Sequence, residues 1–228
     1  MTLPILYSLQ NCPYAMRARL AILLSQQKVQ IRAISMKGKP LDMLVASPKG
    51  TVPVLIIETS NDEKKIKKQV IDESLDVMLW ALNLNDPEDL FYSQQSDALP
   101  EMLEIIEEND NQFKPNLEKY KRAKRFHDKD EESCRLQCEP FIQRLEQRLS
   151  QHEFLMGSTP SMLDYALLPF IRQFSRVNRQ LYLQGPYKNL QRWLNFHLQS
   201  QLFSRAMIKY PLWLDNHEEY FLGEALHR

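Results

Sequence analysis

The chain has 228 residues, 43% hydrophobic and 25% charged, with 29 basic and 29 acidic side chains. That is room for two globular domains of about 100 residues each. Five glycines exclude collagen-like and flexible-linker classes, and no apolar run nears the ~20 residues of a bilayer span. Three cysteines, Cys12, Cys134 and Cys138, are too few and odd in number for a disulfide scaffold, which points to a reducing cytoplasm.

The first ten residues lack the basic region and long apolar stretch of a signal peptide. "PILYS" (Pro4 to Ser8) has strand character. Pro13 to Gln27, rich in Ala, Leu, Met and Arg, reads as a helix with proline at its first position. "VQIRAI" (Val29 to Ile34) alternates as a strand, and "PLDMLVA" (Pro40 to Ala46) supplies one or two helical turns. "VPVLIIE" (Val52 to Glu58) is a buried strand, "SNDEKK" (Ser60 to Lys65) a polar turn, and "IKKQVID" (Ile66 to Asp72) its hairpin partner. Ser74 to Leu82 returns to helical spacing, so the order is βαβ, a helix, ββα.

"NLNDPEDL" (Asn83 to Leu90) is a polar connector with Pro87. The expected division is a first domain over 1–83, a linker over 84–90 and a helical domain over 91–228. Helices are predicted at Leu99 to Tyr120, Cys134 to Ser150, Ser161 to Val177, Tyr187 to Gln199 and Gln201 to Lys209. The charged block Lys121 to Glu132 reads as a solvated helix end or loop. "SMLD" (Ser161 to Asp164) is a capping box, a structural pair whose loss costs about 1 kcal/mol.

Charge is laid out in blocks. Residues 1–68 carry eleven Lys or Arg against four acids, residues 69–113 twelve acids and no Lys or Arg, and residues 165–214 seven Lys or Arg and no acid. Complementary faces within the fold or across a dimer, or a basic site for anionic ligands, account for this. Nucleic-acid binding is not expected, since no reading motif accompanies the basic residues.

"NCPYAMRAR" (Asn11 to Arg19) places Cys12 at the N-cap of the first helix. Free backbone N–H groups and the positive end of the helix dipole face its sulfur and favour the thiolate. Arg17 and Arg19 can add positive potential, although the helix need not aim either at the sulfur. A small cysteine packing at a helix start is the plainer alternative.

Cys-Pro-Tyr after a short strand, a strand led by Val-Pro and the acidic-Ser pair Glu73-Ser74 opening the third helix resemble the glutathione transferase superfamily. "CPYAMRAR" and "KGKP…TVPVL…DES" look most like its cysteine-type, omega-like and glutaredoxin-like members. The resemblance implies a thioredoxin-like βαβ-α-ββα domain followed by an all-helical domain, with glutathione as cosubstrate. It implies a cis Val52-Pro53 bond, which turns the Val52 N–H and C=O toward the cysteinyl part of glutathione. Glu73 would meet the γ-glutamyl ammonium, Ser74 its carboxylate, and Lys39 the glycyl end. Simple helix capping by Glu73-Ser74 and a solvated Lys39 are the alternatives.

Ala15 stands where dithiol glutaredoxins carry a second cysteine, so the implied chemistry is monothiol. Cys12 would exchange with a mixed disulfide of glutathione and a small molecule or protein, and a second glutathione would regenerate the thiol. The competing readings are conjugation assisted by the Tyr7 or Ser8 hydroxyl, and a non-enzymatic binding module of the same fold. Cys134 and Cys138 read as helix packing rather than a metal or redox site, and Trp193, Trp213, Phe170 and Phe174 as core. An acceptor pocket is expected between the domains, with Tyr14 and Phe113 as candidates. The resemblance also implies a homodimer.

Overall fold

The computed structural model describes residues 2–60 and 66–223. The polar turn expected over Ser60 to Lys65 lies, from residue 61 on, outside the described residues. The chain divides into two compact units, Met1–Glu88 with Gln201–Arg228, and Asp89–Ser200.

In the first unit, β1 (Ile5–Ser8) pairs in parallel with β2 (Val29–Ala33) and antiparallel with β3 (Val54–Ser60), which pairs antiparallel with β4 (Ile66–Ile71). Between them come α1 (Pro13–Leu24) and α2 (Leu41–Ala46), and α3 (Ser74–Leu84) follows β4. This is the expected thioredoxin-like βαβ-α-ββα order. Leu6, Tyr7, Val54 and Leu55 fill the sheet's core. Helix α1 is buried on nearly every side, Arg17 and Arg19 included, so it carries no polar stripe.

The end of the chain departs from expectation. Residues 201–223 return to the sheet instead of continuing the helical domain. After α11 (Gln201–Ala206) and the short α12 (Trp213–Asn216), β5 (Tyr220–Leu222) pairs antiparallel with β2. The sheet order is β4-β3-β1-β2-β5. Backbone pairing there covers an edge that would otherwise stay open. Gly223 makes the approach feasible: its φ is +92°, and a Cβ on it would lie 1.8 Å from the Gln27 carbonyl oxygen. Three residues are too short a run to show strand periodicity in sequence.

The second unit is helical throughout its regular elements. The helix predicted over Leu99 to Tyr120 comprises α4 (Ala98–Glu108), a π-helical turn (Asn109–Phe113) and α5 (Lys114–Phe126). Pro115 has no N–H and its ring crowds the preceding turn; the wide turn just before it accommodates both. The predicted Cys134 to Ser150 helix is split into α6 (Glu131–Leu136) and α7 (Glu139–Gln151), because Pro140 sits in the first turn of α7 and disfavours helix before it. Next come α8 (Met162–Val177), α9 (Arg179–Gln184), which was not anticipated, and α10 (Lys188–Gln199).

Asp164 ties this unit together. Its carboxylate accepts from the Ser161 N–H (2.8 Å) and hydroxyl (2.6 Å), closing the capping box, and also from the Leu155 N–H (3.0 Å) and Trp193 Nε1 (2.7 Å). Burial pushes this carboxyl upward while the four donated hydrogen bonds oppose that rise. No helix among the described residues is long and apolar enough to cross a membrane.

Candidate thiol site in the thioredoxin-like unit

Cys12 occupies the N-cap of α1 with extended backbone, φ −73° and ψ 124°. The first helical bond runs from the Met16 N–H to the Cys12 carbonyl at 2.9 Å. Pro13 has no N–H, and the Ala15 amide lies in the first turn, where a helix offers no internal acceptor. The sulfur is half-buried and packs against a cluster containing Tyr7, Ala15, Val52 and Val54. Its thiol donates to the Val52 carbonyl at 3.8 Å.

The Val52-Pro53 bond is cis. It precedes β3, which begins at Val54 rather than at Val52 as expected. The structure therefore brings Cys12 and Val52 together although forty positions separate them. Lys39 reaches the same loop: a Cβ on Gly50, whose φ is +62°, would lie 3.3 Å from Lys39 Nζ.

Glu73 is the N-cap of α3, but its side chain caps nothing. Its carboxylate pairs with Lys49, whose ammonium also lies 3.2 Å from Asp72. Asp72 in turn accepts from the Ser47 hydroxyl at 2.6 Å, a bond that, with Lys49, holds its carboxyl below the usual range despite partial burial. Ser74 is buried, and its hydroxyl oxygen accepts from Arg17 Nη1 at 3.2 Å. The hydroxyl proton remains available to an anion at the helix mouth.

Arg17 thus points to α3 rather than to the sulfur. Arg19 is committed elsewhere too, donating to Ser8 Oγ (2.6 Å), the Leu9 and Gln10 carbonyls (3.2 and 2.8 Å) and the Ala206 carbonyl (2.7 Å). That clamp holds the β1–α1 loop leading to Cys12, and sequence reasoning missed it. A buried arginine on an otherwise apolar helix was the available signal.

The two hydroxyls offered as rivals are engaged. Ser8 serves Arg19, and Tyr7, fully buried, accepts from Arg32 Nη1 at 2.9 Å. Burial pushes the Tyr7 phenol upward even with Arg32 beside it. The Arg32 guanidinium stacks 3.9 Å above the Trp213 ring, a cation–π contact.

In the helical unit Phe113 is core, its ring 4.8 Å from Phe141 and 5.9 Å from Phe174. At 2% exposed, Phe113 is packed into the core and is not free to line an acceptor pocket. Tyr14 is half-buried, with Arg17 above its ring at 5.9 Å. Cys138 is buried and its thiol donates to the Cys134 carbonyl at 3.7 Å. Burial, reinforced by Glu139, pushes it up to about 12, so it stays protonated and inert at neutral pH. Among the described residues no group of three or more His, Cys, Asp and Glu is arranged to hold a metal ion.

Comparison with known proteins matches this architecture. The family description for the glutathione S-transferase N-terminal domain fits residues 6–88, and that for the C-terminal domain fits residues 131–195. Glutathione S-transferase omega-1 of Mus musculus is 25% identical over 172 residues, spanning 75% of this chain and 67% of the mouse protein. A glutathione transferase family member from Pseudomonas fluorescens, crystallised with two glutathione bound, superposes with a TM-score of 0.76 at 16% identity, covering 90% of this chain and 92% of its own. Glutathione transferase Omega 2C from Trametes versicolor gives 0.72 at 18% identity, covering 92% and 94%. At such identities the crystal structures speak to the fold, and the family matches speak to descent. The chain belongs to the glutathione S-transferase superfamily, with likeness to its omega-class, cysteine-type members.

Proposed function

We propose that this protein is a glutathione-dependent thiol transferase with Cys12 as its nucleophile. The observation that carries the reading is the half-buried Cys12 sulfur at the mouth of α1, 3.8 Å from the Val52 carbonyl beside the cis Val52-Pro53 bond. Glutathione docks along Val52, its cysteinyl backbone pairing with that residue's N–H and C=O as a strand would. Its γ-glutamyl carboxylate takes the Ser74 hydroxyl proton and the first amides of α3, and its ammonium takes Glu73 from Lys49. Lys39 meets the glycyl carboxylate.

The Cys12 thiolate attacks the glutathionyl sulfur of a mixed disulfide. The old S–S bond breaks, the acceptor leaves as a thiolate, and Cys12 becomes glutathionylated. A second glutathione thiolate then attacks that bond, releasing glutathione disulfide and restoring Cys12. The P. fluorescens relative has two glutathione bound, and the reaction handles two glutathionyl groups, one brought by the mixed disulfide and one by the free thiol. Ala15 stands where a resolving cysteine would, and all three cysteines are free, as monothiol chemistry requires.

Incubation with glutathione disulfide followed by mass spectrometry tests this. Wild type gains one glutathionyl group at Cys12, and Cys12→Ser gains none and loses thiol transfer. An unmodified wild-type Cys12, or an active Cys12→Ser, defeats the reading.

A homodimer is part of the same proposal. Leu41 and Val45, one turn apart on α2, are each 74% exposed, an apolar face suited to a second copy. A monomeric mass in sedimentation at physiological salt would refute it. A reducing cytoplasm suits a free catalytic thiol.

A further inference from the structure

The helical unit contains a cavity of about 390 Å³ that uses no residue of the thioredoxin-like unit. Four rings wall it: Tyr120, Phe174, Tyr182 and Tyr187. Successive centroids lie 6.1, 6.1 and 6.4 Å apart. Two charged groups line it as well, Arg135 and Glu139. A largely apolar cavity with a few convergent polar groups is the usual form of a small-molecule site.

Arg135, which lines the cavity, makes two unequal ion pairs. Arg135 Nη1 donates to Glu139, whose other oxygen accepts from the Tyr187 hydroxyl. Glu139 is only 10% exposed, so losing either bond would leave a mostly buried carboxylate short of a partner. The opposite edge of the guanidinium, Nε and Nη2, donates to Glu132 at 3.0 and 2.8 Å. Glu132 is 65% exposed, so water replaces its bonds readily and the pair contributes little. The edge it would release is a planar fork shaped for a carboxylate.

We propose that this cavity binds a small aromatic carboxylic acid, its ring system lying among Tyr120, Phe174, Tyr182 and Tyr187 and its carboxylate replacing Glu132 on the Nε–Nη2 edge of Arg135. The exchange conserves charge: one carboxylate leaves for solvent as another arrives, and Glu139 keeps its partner. A ligand that brought no anion would leave Glu132 in place and gain only apolar burial. Of the other nearby carboxylates, Glu131 is held by Lys124 at 3.0 Å, and Glu146 accepts from the Asn189 and Leu190 amides at 3.1 and 2.7 Å. Tyr120, driven up to about 12 chiefly by burial, is a protonated donor at neutral pH and can add a hydrogen bond to the incoming carboxylate.

Calorimetric titration of the full chain with naphthalene-2-carboxylate and with naphthalene-2-carboxamide tests this apart from the chemistry of Cys12. The acid should bind about tenfold more tightly than the amide, as expected for charge-assisted, bidentate hydrogen bonds. Glu132→Gln, at a position 65% exposed, should tighten the acid about threefold by removing its competitor. Arg135→Lys, which keeps a cation for Glu139 but loses the fork, should weaken the acid about tenfold and leave the amide unchanged. Saturating reduced glutathione should not compete. Failure of either probe to bind, equal affinity for acid and amide, a Glu132→Gln that fails to tighten, or displacement by glutathione would each overturn the proposal.

Discussion

Acidification from pH 7.5 to 5 should cost the helical unit about 2 kcal/mol through one residue, His197. The ring is 1% exposed and boxed in by Phe154, Tyr165, Trp193 and Phe196, with centroids 5.0 to 5.9 Å away. Its Nε2 is buried without a partner. Burial lowers its pKa from 6.5 to about 4, because enclosure by the rings strips an imidazolium of its hydration. The sign follows from which state binds protons first. Above pH 6.5 the ring is neutral in both states and costs nothing. Below it the unfolded chain takes up a proton that the folded chain refuses until about pH 4, so stability falls across that window. With those two pKa values the loss by pH 5 is about 2 kcal/mol, and by pH 4 nearly 3. Other carboxylates titrate in the same range, so the measurement is a difference of differences. Urea unfolding of wild type and His197→Leu at both pH values isolates the term: the wild type should lose about 2 kcal/mol more than the variant. Equal losses would show that the folded imidazole ionises as easily as a free one, and the burial argument would fail.

Three further outcomes follow from contacts described above. Lys49→Gln should free Glu73 and Asp72 and tighten reduced glutathione up to about fivefold, the worth of an exposed ion pair; calorimetry showing weaker binding would remove Glu73 as the ammonium partner. Gly223→Ala drives a Cβ into the Gln27 carbonyl at 1.8 Å and should detach β5, seen as faster amide exchange at Val29 and Ile31 of β2; unchanged protection would mean the strand's pairing does not depend on that approach. Asp164→Ala strands two backbone amides and the Trp193 indole in the core and should cost about 3 kcal/mol in urea unfolding, whereas Ser161→Ala should cost about 1.

The fold was legible wherever one periodicity ran long enough. Alternation in Val29 to Ile34, the continuous run after Val52 and the apolar stripe of Ser161 to Val177 each announce an element that the structure contains. The failures cluster at prolines and short segments. Pro115 and Pro140 sit inside sequences whose apolar spacing is uninterrupted, so pattern alone carried a helix through both. The three residues of β5 show no pattern, and their strand exists because β2 had an open edge.

The candidate site divides along a different line. Its residue types and positions were readable: a thiol before a proline at a helix start, a Val-Pro pair, and an acidic-Ser pair opening another helix. What each side chain is bound to before a ligand arrives was not, because those partners come from distant segments. Lys49 on Glu73, Arg17 on Ser74, Arg19 on Ser8 and Arg32 on Tyr7 all belong to this second kind. Their consequences differ in direction. Arg19 and Arg32 each take an acceptor site, on Ser8 and Tyr7, whose hydroxyls are buried in the fold. Arg17 occupies an acceptor site on Ser74 and leaves its proton to give, which prepares the hydroxyl for a carboxylate. Lys49 alone stands where the proposed docking puts a ligand group, as a resident cation on the Glu73 carboxylate. On the docking proposed above, glutathione binding is an exchange reaction at Glu73 and a simple addition at Ser74, and only the first should weaken as lysine-like cations are added to the buffer.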